Sequence, residues 1–331
     1  KMKPELQNRC ELFTENKTKM EKMGGLEFAS VYMVSSNMYT AKNLPVDTDR
    51  IKDCRKILKE KTGVFSAFRG NVTLPLACML AQDADPGNKM DRAATLYGKL
   101  RDEFSASEYL PLAAMVLTDL VSDDEAETYI KRGKAIYKRM KEEHPFMTGG
   151  DDSVFAVMLA FSKKTDEEII REMEQVYHAL KDSGFGGHTS LNASRVLALT
   201  DCDSLDNCGK LKKVFDSLAA SGRKYGKDYE LGALAGLVSL PVPAETLVEE
   251  ILEVDAYLST QKGYGVFGYS KKERLMQAVM ILAGFYAGEG QNTGGELGTI
   301  TNTLAMLAAL EVALIAGRSA GVAASSAASY N

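Results

Sequence analysis

The residues whose chemistry stands out in this chain are three histidines, five cysteines, and a few amides and guanidiniums set inside otherwise apolar segments. His188 follows a glycine turn and stands ten residues after His178, so the two could face each other across that turn. A zinc site needs further ligands, and none stands at a defined spacing. The pair therefore reads as a surface histidine and a turn histidine. The stretch from Asp201 to Cys208 carries two thiols and three carboxylates in eight residues, but a Cys-x5-Cys spacing is unusual for structural zinc. Its acids are ordinary turn and cap residues ahead of a helix, as are Asp85-Pro86-Gly87 and Asp151-Asp152.

Glycine loops that cradle phosphate lie between a strand and a helix, whereas Gly184-Phe-Gly-Gly187 lies between two helices. No Gly-x-Ser-x-Gly, His-Glu-x-x-His or Ser-x-x-Lys arrangement has a suitable context, and no metal or cofactor is expected. The remaining candidates are polar residues that break apolar helical runs: Asn192 and Arg195, Arg274 and Gln277, and Arg69 with Asn71. Aligned on Ala193 and Ala278, Asn192 and Gln277 fall at equivalent places, so one face of the fold would be lined by amides and guanidiniums. Such groups are ordinarily hydrogen-bonded structure. If that face binds a ligand, these six residues and His188 are its candidates.

The elements that must position them recur. Ile57-Leu58, Leu96-Tyr97, Ile136-Tyr137, Val176-Tyr177, Val214-Phe215 and Ala256-Tyr257 hold the same place in similar stretches, at intervals of 39, 40, 40, 38 and 42 residues. A period near 40 with no strand signal predicts an all-α protein of α/α helical hairpins, forming a superhelix or partly closed toroid. Each hairpin is read as a short apolar helix rich in small residues followed by a longer charged helix carrying the aromatic pair. A further aromatic trails each pair by seven to ten residues (Phe65, Phe104, Phe146, Phe185, Tyr225, Tyr264) and is expected to fold back on its own hairpin. Asp47, Ser122-Asp123, Thr165 with Glu168, and Pro243 mark starts of the longer helices. The organisation expected is an N-terminal helix over 1–25, the hairpin array over 26–287, a linker and capping helix over 288–317, and an Ala/Ser-rich tail over 318–331.

Composition bounds the function. A hydrophobic fraction of 45% and a charged fraction of 26% are those of a globular protein. A net charge of −5 supplies no general attraction to nucleic acid or anionic lipid. Five cysteines without framework spacing read as reduced thiols, and with a polar N-terminal segment they suggest a cytoplasmic protein. The apolar segment 300–316 contains Thr301, Asn302, Thr303 and Glu311 and reads as a buried helix, so no membrane span is expected.

With this pattern in view, the chain resembles a bacterial family catalogued as domain of unknown function 4003. The likeness rests on Gly63-Val-Phe-Ser-Ala-Phe68, on Ala135-Ile-Tyr-Lys-Arg-Met140 with Gly149 to Asp152 after it, on Val176-Tyr177 through Gly184-Phe185, and on the Ala-rich C-terminal helix. It implies a helical architecture and no catalytic motif. Over short windows, residues 135–145 and 176–185 are similar to pentatricopeptide repeats, which read RNA but are shorter and basic. The Gly184–Gly187 and Gly263–Gly268 turns are similar to those of α/α toroids that cyclise or transfer prenyl groups, without their acidic motifs or zinc set. The function expected first is an interaction module that binds a peptide or protein segment. An α/α-toroid enzyme or small-molecule binder is the alternative, and RNA binding stands third.

Overall fold

The computed structural model describes residues 2–24, 29–64, 66–200, 202–264 and 268–290. Among these the chain is all-helical, with fourteen α-helices and no strand. In order they are α1 (Pro4–Lys22), α2 (Ala29–Ala41), α3 (Thr48–Lys61), α4 (Thr73–Ala81), α5 (Pro86–Glu103), α6 (Leu110–Leu120), α7 (Ala126–Glu143), α8 (Ser153–Leu159), α9 (Asp166–Asp182), α10 (Gly187–Ala198), α11 (Ser204–Ala220), α12 (Glu230–Val238), α13 (Ala244–Ser259) and α14 (Lys271–Gly290). Single 3-10 turns precede α4 and α8. The expected linker, capping helix and tail, together with Phe65, lie outside the described residues.

The helices gather into two compact units. One is built from the residues up to Val46 together with those from Met173 onward, and the other is Asp47–Glu172. In both, inner helices alternate with outer ones, and apart from the 20-residue α14 the inner helices are the shorter. Several inner helices are buried almost all round: every residue of α4 from Leu74 to Ala81 and every residue of α8 is buried. The outer helices bury one stripe, such as Ile51, Cys54 and Leu58 on α3, and leave the opposite face in water. Caps begin them as expected. Asp47 accepts from the Arg50 amide at 3.0 Å, Asp85 from that of Asn88 at 3.0 Å, and Thr165 and Glu168 form a reciprocal capping box.

Two features of the pairing differ from the sequence expectation. Four inner helices pack most closely with the outer helix that precedes them: α2 with α1, α4 with α3, α6 with α5 and α8 with α7, whereas α10, α12 and α14 pack chiefly with other inner helices. The tight hairpin thus runs outer to inner, and α1 is the outer partner of α2. The physical link is a cation early in the outer helix that reaches the carbonyls ending the inner one. Arg9 donates to Thr40 and Ala41 (2.7 and 2.9 Å), Arg92 to Thr118 and Val121 (3.0 and 3.1 Å), Arg132 to Ala160, Ser162 and Lys164 (2.8, 2.7 and 2.6 Å), and Lys210 to Val238 and Leu240 (2.8 and 2.7 Å). Arg50 does the same for Ala81 and Asp83. The last carbonyls of a helix lack intrahelical partners and carry the negative end of its dipole, so a guanidinium there satisfies several at once.

Two of the trailing aromatics, Phe104 and Phe185, pack forward onto the next outer helix, while Tyr225 and Tyr264 donate to Glu230 and Gln277 of the inner helix that follows their own outer helix. Phe104 meets Tyr137 edge-on at 5.6 Å between centroids, and Phe185 meets Phe215 at 5.1 Å. Phe68, three residues beyond the expected Phe65, meets Tyr97 at 5.1 Å. Outer helices of neighbouring hairpins lie side by side, so the end of one loop comes closest to the middle of the next helix. Phe146 breaks the pattern and is 99% exposed.

In the first unit, α2 lies along α14. Asn37 donates to the Met280 carbonyl at 3.1 Å, and a Cβ on Gly284 would stand 2.9 Å from that of Ala41, so the two helices run parallel in close register and only glycine fits there. Replacing Arg132 with Met keeps the alkyl stem but strips three carbonyls and Asp166 of their donor. It is expected to lower unfolding free energy by about 2 kcal/mol in urea titration.

Candidate functional site

The seven residues singled out from sequence separate into two groups. Arg69 and Asn71 lie in the 47–172 unit and are engaged there. Arg69 donates to the carbonyls of Lys59 and Thr62 and to the Thr62 hydroxyl at 3.1 Å, which finishes α3, while Asn71 donates to Glu108 at 3.3 Å. The other five lie in the first unit. His188 is exposed at the start of α10, and His178 sits 3.9 Å from Glu174 one turn earlier on its own helix. Arg195 is buried on α10 at 4% exposure, and Ser190 and Ser194 of the same helix are buried too.

Arg274 holds Asp255, whose side chain is fully buried, through contacts of 2.6 and 3.3 Å, and Arg223 adds a third at 2.9 Å. Two guanidiniums on one carboxylate satisfy a charge that could not be buried alone. Gln277, fully buried, accepts a hydrogen bond from the Tyr264 hydroxyl, and its Nε2 has no protein partner among the described residues. Asn192 Oδ1 is buried and unpartnered in the same way. The polar inner helices belong to this unit: α2, α10 and α14 carry Asn37, Asn192 and Gln277, whereas α4, α6 and α8 are apolar almost throughout.

The cysteines carry no framework. None is in a disulfide; Cys202 is exposed and Cys208 buried. Burial pushes the Cys10 thiol up to about 12 and raises Cys54 and Cys208 in the same direction, so these sulfurs stay protonated at neutral pH. Among the described residues no group of three or more His, Cys, Asp or Glu side chains is placed to hold a metal ion.

An open groove that the sequence reading passed over lies on α7. It has a volume of 350 Å³ and is lined by Ser105, Lys134, Tyr137, Lys138, Lys141 and Glu142. The lysines fall at i, i+4 and i+7 and so share one helix face. Two lining residues are fixed. Lys134 donates to the Glu103 carbonyl and stands 5.3 Å over the Phe104 ring, and the Tyr137 hydroxyl donates to Gly149 at 3.0 Å. Lys138 and Lys141 are exposed, with Glu142 3.9 Å from Lys138. The groove therefore offers two solvated ammonium groups beside a phenol ring held in place. The signal in the sequence was the lysine spacing on the polar face of the Ala135–Met140 helix.

The fold and this groove define an all-α protein of packed helical hairpins with a cation-lined surface hollow. Residues 18–313 match the family described as a protein of unknown function, DUF4003, and the chain belongs to that family. It is similar to an uncharacterized protein, YeaA, of Bacillus subtilis (strain 168), with 25% identity over 267 residues, which is 76% of this chain and 77% of the other. No solved structure matches. Among the described residues no helix is long and apolar enough to cross a membrane.

Removing Arg274 as Arg274→Met leaves a buried carboxylate with one cation. It is expected to cost about 3 to 5 kcal/mol in denaturant titration, and adding Asp255→Asn should recover part of that loss.

Proposed function

We propose that the chain is a helical interaction module that takes a peptide or protein segment on the α7 surface. The observation that carries this reading is the groove with its exposed Lys138 and Lys141 set against the fixed ring of Tyr137. In a chain of net charge −5, such a local cation pair favours a segment that brings carboxylates and a side chain able to lie on the phenol. The ordered lining keeps the cost of binding low, because neither Tyr137 nor Lys134 has to be immobilised. A fluorescein-labelled acidic peptide should raise anisotropy with an affinity that falls as salt is raised. The double reversal Lys138→Glu/Lys141→Glu should weaken it at least ~10-fold. Equal binding of a lysine-rich control peptide, or an unchanged affinity in the reversal variant, would count against the reading.

A second reading is supported by the buried amide atoms of the first unit. Among the described residues Asn192 Oδ1 and Gln277 Nε2 have hydrogen-bonding capacity that no protein group uses, which leaves each able to hydrogen-bond to a small neutral ligand. In differential scanning fluorimetry against small amides and polyols, a stabilising compound should lose its effect in Asn192→Leu. A panel without any such compound speaks against this reading.

A further inference from the structure

Phe146 is the aromatic that trails α7, as Phe104 trails α5 and Phe185 trails α9. The latter two are buried at 3% and 7% exposure against the next outer helix, while Phe146 is 99% exposed. A solvated phenylalanine forgoes the apolar burial its counterparts obtain. Nor does the ring hang from a loose loop. His144 donates to the Met140 carbonyl at 3.0 Å, the Met147 and Thr148 amides donate to the His144 carbonyl at 3.1 and 3.0 Å, and the Thr148 hydroxyl reaches Met140 at 3.2 Å. Beyond it Gly149 is held on both sides, its carbonyl by Tyr137 at 3.0 Å and its amide by Asp152 at 2.7 Å. The turn is thus tied to α7 and to Tyr137, which itself lines the groove, and it presents Phe146 at that groove's end of the helix.

The surface so formed contains both halves of a contact. It has a knob, Phe146, and a 350 Å³ hollow lined by Tyr137 and the alkyl stems of Lys134, Lys138 and Lys141. It also carries both signs of charge: Lys138 and Lys141 are exposed, and so are Glu142 and Glu143. A two-fold interface requires self-complementarity, since residue i of one subunit meets residue j of the other and the reverse. A lone heterologous acidic segment would need only the lysines. The knob and the acids next to it find their complements in a second copy of the same surface.

We propose that this end of α7 is a homodimer contact. Phe146 of each copy enters the other's groove beside Tyr137, and Glu142 and Glu143 face Lys138 and Lys141 across the two-fold axis. The inference rests on the reading of the groove as a docking surface and names a second copy of the chain as its occupant.

Sedimentation equilibrium of the full chain over about 1 to 100 µM tests it. The wild type is expected to dimerise, and Phe146→Ala to raise the dimer dissociation constant at least ~10-fold. The ring is exposed, so unchanged circular dichroism and thermal midpoint should show that the variant folds. Lys138→Glu/Lys141→Glu and Glu142→Lys/Glu143→Lys should each be monomeric alone and associate when mixed, a rescue that general destabilisation would not give. A wild type that stays monomeric throughout, a dimer that persists in Phe146→Ala, or charge variants that fail to recombine would overturn the inference. Acidic-peptide binding, measured on the same preparation, then decides separately whether the docking reading falls too.

Discussion

The contact on which the hairpins depend is a cation laid across the end of a helix. An inner helix of seven to thirteen residues in the first four hairpins is too short to be stable alone, and its burial removes the water that would otherwise satisfy its terminal carbonyls. Arg9, Arg50, Arg92, Arg132 and Lys210 supply that deficit from the neighbouring outer helix. The same bond sets the axial position of one helix against the other, because the donor's place on the outer helix is fixed and the carbonyls lie only at the inner helix's last turn. Burial chooses the faces and the cation chooses the register. On α13 the inward side chain is instead Glu250, which accepts from Tyr286 and pairs with Lys3 at 2.8 Å.

A second constraint is the forward packing of three of the loop aromatics. Phe68, Phe104 and Phe185 each close the gap between their own loop and the next outer helix, so a hairpin is completed by its successor. Phe146, by contrast, is exposed, on the turn that follows the helix bearing the groove and its exposed lysines.

Polarity is divided unevenly between the inner helices. In the 47–172 unit they are apolar and serve as core. In the other unit the inner helices bury Asn37, Arg195 and Gln277, and Arg274 of α14 together with Arg223 meets the buried Asp255 carboxylate of the outer helix α13. Buried polar groups carry large penalties when unpaired, so their concentration on a few helices limits how those helices can shift.

The sequence by itself determined the helical class, the period near 40, the caps at Asp47 and Thr165, and the alternation of apolar and amphipathic helices, because caps and burial stripes are local patterns read along one chain. The family resemblance was also legible there, in the turn and packing residues of residues 63–68 and 135–152. Which helix pairs with which was decided only in three dimensions. The cation and its carbonyls stand about thirty residues apart, and nothing local distinguishes Arg132 from the other basic residues of α7. The candidate polar residues divided for the same reason: Arg69 and Arg274 looked alike as guanidiniums beside apolar runs, yet one finishes a helix and the other neutralises a buried acid. The α7 groove required the tertiary structure too. Lys134, Lys138 and Lys141 share a helix face in any reading, but a hollow exists only where Phe104, Tyr137 and the Gly149 turn are packed together.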